Sequence, residues 1–190
     1  DINLDGKIDG NDLTSYINYT GLRKGDSDFE GYISNGDINK NGLIDAYDIS
    51  VVATQLEGGV DNRGMEKVGG ALEISYKDEI IEIQVKGTGL RAVNAFSFAL
   101  PYNQQDYEFV GVELQNMNAM ENLTYDRLHT NGSKALYPTF VNVGNKKTLE
   151  GTVDLCLLKF KAKRKVKFDL KVIDGLLVDK KLNTHKSNVQ

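Results

Sequence analysis

The chain has no tryptophan, one cysteine, two prolines and two histidines in 190 residues. With a single thiol, Cys156, no internal disulfide can form, and the apolar run around it predicts a buried, inert side chain. No stretch approaches the length of a membrane-crossing helix, and no signal-peptide pattern is present. The chain opens without an initiator methionine, so the expectation is a downstream part of a longer protein. The missing tryptophan, and the lack of an evident exposed platform among tyrosine and phenylalanine, weigh against sugar stacking. His129 and His185 have no metal-ligating or nucleophilic partner at a telling spacing, and both read as exposed histidines of a loop and a tail. There is no phosphate-binding glycine loop.

Acid is abundant at the start. Residues 1–60 hold eleven Asp/Glu against four Lys/Arg, a charge of −7, whereas residues 61–190 carry +3. Neither balance suits nucleic acid. The acid is organised. In Asp37–Asp48, oxygen-bearing side chains stand at positions 1, 3, 5, 9 and 12 and Gly42 at position 6, the layout of an EF-hand-like calcium loop. Calcium is a hard cation that takes several oxygens at about 2.3–2.6 Å. Alternate side chains of a tight loop can supply them, and position 7, Leu43, can offer its carbonyl. Gly42 permits the positive φ of the turn, and Ile44 at position 8 faces the core. Asp1–Asp12 repeats this pattern position by position, with Gly6 for Gly42, Ile8 for Ile44 and Asp12 for Asp48. Each loop opens into a helical pattern: Leu13, Tyr16 and Ile17 after the first, Ile49, Val52, Ala53 and Leu56 after the second. Gly21 and Gly58-Gly59 are the expected stops.

Two calcium loops, each followed by a helix and closed by Asp rather than Glu, resemble a type I dockerin, a non-catalytic module that docks enzymes onto cohesin domains. The resemblance implies a first ion held by Asp1, Asn3, Asp5, the Lys7 carbonyl and Asp12, and a second held by Asp37, Asn39, Asn41, the Leu43 carbonyl and Asp48. Asp9 and Asp45, at position 9, act through water. Where the family often has Ser-Thr at positions 10 and 11, this chain has Gly10-Asn11 and Ala46-Tyr47. Asp26, Asp28 and Glu30, followed by Gly31, are candidates for a third, irregular calcium site; the alternative is a solvated acidic loop with Phe29, Tyr32 and Ile33 packed beneath the helices.

Residues 58–70 are rich in glycine and lack apolar periodicity, the marks of a linker. Beyond them the period changes from 3.6 to 2. Leu72/Ile74/Tyr76, Ile81/Ile83/Val85, Phe96/Phe98/Leu100, Val110/Val112/Leu114 and Val166/Phe168/Leu170/Val172 predict strands with one buried face. Asp78 marks a turn, and Pro101 is expected to end its strand. The more continuous Leu155–Phe160 run predicts a strand covered on both sides or a bulge. Residues 115–134 read as a long loop with one helical turn through Met117, Met120 and Leu123, and residues 184–190 as frayed.

The expected architecture is multidomain: a small α-helical, EF-hand-like dockerin module over residues 1–57 and an all-β sandwich of jelly-roll type over residues 71–190. The runs Ala95–Tyr102, Glu108–Leu114, Gly151–Ala162 and Ile173–Asp179 make the sandwich similar to a cohesin. The resemblance implies a non-catalytic scaffolding pair from an extracellular, cell-surface or periplasmic protein that degrades polysaccharides. Its partner is a cohesin or dockerin domain, with docking in cis preferred to docking in trans. Alternatives are a calcium-stiffened spacer and a carbohydrate-binding module. Neither nucleic acid nor membrane insertion is expected.

Overall fold

The computed structural model describes residues 1–7, 9–56, 67–76, 82–117, 120–167 and 169–187. Ile8, most of the linker, the turn at Asp78, Ile81 and Phe168 lie outside the described residues. Two helices come first, α1 (Gly10–Ser15) and α2 (Ala46–Leu56). Between them lie 3-10 turns at Tyr16–Asn18, Ser27–Phe29 and Gly31–Gly36. Asp9 caps α1, accepting from the Asn11 N–H while the Asp12 side chain returns to the Asp9 N–H, which satisfies donors the first turn leaves free. The α-helix ends at Ser15 and its 3-10 continuation at Asn18, short of the expected stop, and Gly21 at φ +81° turns the chain beyond them.

Among the described residues eleven antiparallel strands follow: β1 (Gly69–Tyr76), β2 (Glu82–Val93), β3 (Ala95–Tyr102), β4 (Tyr107–Leu114), β5 (Glu121–Asn122), β6 (Tyr125–Leu128), β7 (Lys134–Tyr137), β8 (Thr139–Val141), β9 (Leu149–Ala162), β10 (Ile173–Val178) and β11 (Thr184–Ser187). One sheet runs β1-β2-β9-β4; the other runs β11-β10-β3-β7-β6, with β8 also on β3 and β5 on β8. Pro138 separates β7 from β8. It has no N–H to give the ladder, but its carbonyl still accepts from the Phe98 N–H. Between the sheets lies the core, including Leu72, Ile83, Val85, Phe96, Phe98, Leu136, Phe140 and Leu158.

Several expectations need correction. The β3 strand continues through Pro101 to Tyr102, pairing with β7. In β4 the register shifts between Phe109 and Gly111; the extra residue, Val110, is 64% exposed and Leu114 44%, so neither belongs to a buried face. The bulge expected in the Leu155–Phe160 run is present: in β9 the partners jump from Val85↔Cys156 to Lys86↔Asp154, so Leu155 is the bulged residue and both Leu155 and Cys156 are buried. Residues 163–172 form no strand among those described. They lead from β9 in one sheet to β10 in the other, and Leu170 and Val172 still pack on the core. The expected loop at 115–134 contains β5 and β6, and the expected tail contains β11, paired with β10.

Strand β3 is buried on both faces. Phe96, Phe98 and Leu100 point into the sandwich. The small residues between them point the other way, where α2 lies across β3, β8 and β10. Ile2, Leu13, Tyr16, Leu22, Ile44 and Ile49 form one continuous apolar cluster with Ala95, Leu123, Val141 and Val178. Leu43 packs on a neighbouring cluster of Ala99, Ala135 and Tyr137. Full burial of an Ile side chain such as Ile49 stabilises by about 1.5–3 kcal/mol, and small residues on β3 let the helix approach closely.

Candidate calcium loops and docking interface

The two acidic loops fold alike. In each, the first aspartate takes two backbone N–H groups: Asp1 from Asp5 and Gly6, both at 3.0 Å, and Asp37 from Asn41 at 3.2 Å and Gly42 at 2.8 Å. Asn3 accepts from Asp5 and Asn39 from Asn41, while Asp5 accepts from Lys7 and Asn41 from Leu43. The closing aspartate bridges the loop: Asp12 accepts from Ile2 at 2.8 Å and Asp9 at 2.9 Å, and Asp48 from Ile38 at 2.8 Å and Asp45 at 3.0 Å. Asp9 and Asp45 accept from Asn11 and Tyr47. Gly6 and Gly42 hold φ +85° and +89°.

This donor set fits a hard cation: carboxylate, amide and carbonyl oxygens, with no soft ligand. Among the described residues no group of three or more His, Cys, Asp or Glu side chains converges as a metal cluster. The carboxylates are instead turned onto the loop's own amides. Their charge favours a cation most in the second loop, where Asp37, Asp45 and Asp48 are all buried, whereas Asp1 and Asp5 of the first are exposed. Without a cation, burial and the neighbouring Asp48 push Asp45 up to about 7. Burial, opposed by the N–H groups of Asp45 and Ile38 and reinforced by Asp37, pushes Asp48 up to about 6. For Asp12, burial is outweighed by the N–H groups of Asp9 and Asn3, and its carboxyl stays below the usual range.

Raised carboxyls must lose protons before calcium binds. Calcium affinity of the second loop should therefore fall as pH drops from 7.5 to 5.5, on the order of a hundredfold for two such groups. The first loop should barely respond. Calorimetric titration of the Asp12→Ala and Asp48→Ala variants at both pH values separates the loops; a flat response in Asp12→Ala contradicts the expectation.

The third candidate site does not assemble. Asp26 is committed elsewhere: its Oδ2 accepts from the Arg23 N–H at 3.1 Å and lies 2.7 Å from His129 Nδ1, and its Oδ1 accepts from the Thr130 N–H at 3.1 Å. His129 is accordingly not an exposed loop histidine. It is buried, with Nε2 2.6 Å from the Tyr137 hydroxyl. Burial lowers the His129 pKa and Asp26 only partly restores it. For Asp26 burial is outweighed by His129 and the two backbone donors, which hold it below the usual range. A neutral imidazole donating to a carboxylate satisfies both directions.

Strand β6 and the loop between β6 and β7 thus grip the segment between the two acidic loops. Arg127, also buried, donates through Nε to the Thr20 carbonyl at 2.9 Å and through Nη2 to the Asn18 carbonyl at 2.8 Å. Arg23 donates to Ser133 Oγ at 2.8 Å, and the Ser27 N–H to Thr130 Oγ1 at 2.8 Å. At the other end, the Ala46 N–H donates to Ser97 Oγ at 3.2 Å. The segment is tied to the second calcium loop by an antiparallel bridge, Arg23↔Leu43, with Gly21 and Leu22 bonded to Ile44. Sequence reading missed His129, Arg127 and Ser97 because only the fold brings β3, the β6–β7 loop and the module together. The one local signal was the Ala95, Ser97, Ala99 alternation, three small residues on a face expected to be solvated.

Residues 1–57 match the family model of the dockerin type I domain. No curated protein matches the chain. Among solved structures, the second type II cohesin module of the ScaA scaffoldin of Acetivibrio cellulolyticus is similar at 13% identity and TM-score 0.50, covering 66% of this chain and 87% of that one. A cohesin module from a Clostridium perfringens family 33 glycoside hydrolase is similar at 16% identity and TM-score 0.48, covering 65% and 98%. Dockerins and cohesins are non-catalytic modules of calcium-dependent protein–protein interaction. Residues 1–57 thus match the dockerin type I domain, and the β-sandwich that follows is similar in fold to cohesin modules.

Proposed function

We propose that this chain is a calcium-dependent scaffolding unit in which the dockerin module docks in cis on the sandwich that follows it. Asp1, Asn3, Asp5, the Lys7 carbonyl and Asp12 hold one calcium ion, and Asp37, Asn39, Asn41, the Leu43 carbonyl and Asp48 the other, with Asp9 and Asp45 acting through water. The units are residues 1–57 and 71–190, with 58–70 as tether. A tether this short keeps the effective concentration of the seat in the mM range. The pair belongs to an extracellular, cell-surface or periplasmic protein that degrades polysaccharides, a placement supported by the family of the module. Among the described residues no helix is long and apolar enough to cross a membrane.

The observation that carries the reading is the seat of α2, with Ala46 fully buried and its N–H on Ser97. Calorimetric titration of calcium into stripped protein should give two ions per chain. Sedimentation with calcium should give a monomer at all concentrations. A stoichiometry near zero sinks the metal assignment, and a mass that climbs with concentration moves docking to trans. The shared apolar cluster of module and sandwich favours a second reading, a calcium-stiffened spacer. In that case the module stays seated after calcium is stripped.

A further inference from the structure

Gly21 lies flat on a ring of the sandwich: a Cβ built there would stand 2.2 Å from Tyr137 Cδ2. Five residues on, Asp26 is buried and meets His129 at 2.7 Å and the Thr130 N–H at 3.1 Å. His129 is in turn 2.6 Å from the Tyr137 hydroxyl, its ring edge-on to Tyr137 at 5.6 Å. These groups form one buried polar chain whose carboxylate belongs to the module and whose other members belong to the sandwich.

We propose that the sandwich recognises a dockerin module through the segment between its calcium loops, reading a glycine against Tyr137 and an aspartate five residues later against His129 and Thr130. The inference rests on the docking reading above and names what makes that docking selective. Selection works in two directions. A module with the aspartate gives the buried His129 Nδ1 a partner it would otherwise lack, a loss costlier than the bond itself gains, and also accepts from the Thr130 N–H. A module with any side chain at the glycine runs into the Tyr137 ring, which packs against the Ala99 and Ala135 cluster. The partner class is therefore a dockerin module carrying Gly and Asp at this spacing in its inter-repeat segment, whatever stands at loop positions 10 and 11.

The test uses the full chain with calcium and the Ser97→Cys substitution, which places a thiol under α2, its Sγ standing in for Oγ as acceptor of the Ala46 N–H, and this chain is the parent against which every further variant is compared. Its labelling rate by a maleimide reports how often the module lifts. Cys156, buried in the sandwich core, reports whether the sandwich itself opens. Gly21→Ala and Asp26→Asn should raise labelling at position 97 ten- to hundredfold with Cys156 unchanged. Gly25→Ala is the control: Gly25 also sits at positive φ, +105°, but a Cβ there meets nothing within 4 Å, so labelling should stay within about twofold of the parent apart from the shared backbone cost. Equal behaviour of Gly21→Ala and Gly25→Ala, or parent-like labelling in Asp26→Asn, overturns the proposal. Labelling at position 97 as fast as an exposed thiol in the parent chain would instead overturn the docking reading itself.

Discussion

Chelating calcium should melt the dockerin module off the sandwich and leave the sandwich folded. The second loop buries Asp37, Asp45 and Asp48, the charges of Asp48 and Asp37 act against that of Asp45, and without a cation this repulsion in a low-dielectric setting opposes compaction. A ligand present at about a thousand times its Kd stabilises the state that binds it by about 4 kcal/mol, and two such sites suffice to decide whether a unit of some fifty residues folds. Helical circular dichroism should fall on chelation while strand signal persists, and the thiol introduced by Ser97→Cys should become reactive while Cys156 does not. Loss of both signals together would mean that the sandwich depends on the seated module for its own fold.

Phe96→Ala should produce the largest single-residue loss in the chain. Phe96 is fully buried, and its ring lies 5.1 Å from that of Phe140. Removing such a side chain costs about 3–5 kcal/mol in transfer and cavity terms. The same strand presents Ala95 and Ser97 to the module, so collapse around the cavity should also loosen the seat of α2. Denaturant unfolding followed by Cys156 labelling should show the loss. Val110→Ala, on the exposed bulge of β4, should change stability by less than about 0.5 kcal/mol; equal losses for the two would contradict the core described here.

The two acidic loops were legible in the sequence because their pattern is local: twelve residues supply the acceptor side chains, the glycine turn and the closing aspartate, and the second copy folds like the first. The alternating strands were legible for the same reason. What escaped reading were the places where two distant parts meet. Val110 sits at a bulge, where one extra residue reverses the face that alternation assigns. Val166 to Val172 alternates, yet among the described residues no strand forms there, and the segment leads from β9 in one sheet to β10 in the other. His129 follows a strand in a polar stretch, and nothing nearby announces that Asp26, over a hundred residues earlier, supplies its acceptor. Arg127 likewise reads as surface charge until Asn18 and Thr20 offer their carbonyls.

The cis seat is tested most directly by nuclear Overhauser contacts between the Gly21 α-protons and the Tyr137 ring. They should be measured with calcium in a dilute mixture of differently labelled molecules, so that contacts within a chain and between chains are told apart. The account predicts a strong intramolecular contact, with the glycine protons shifted by the ring current. Absence of that contact, or its appearance only between differently labelled molecules, would contradict docking in cis.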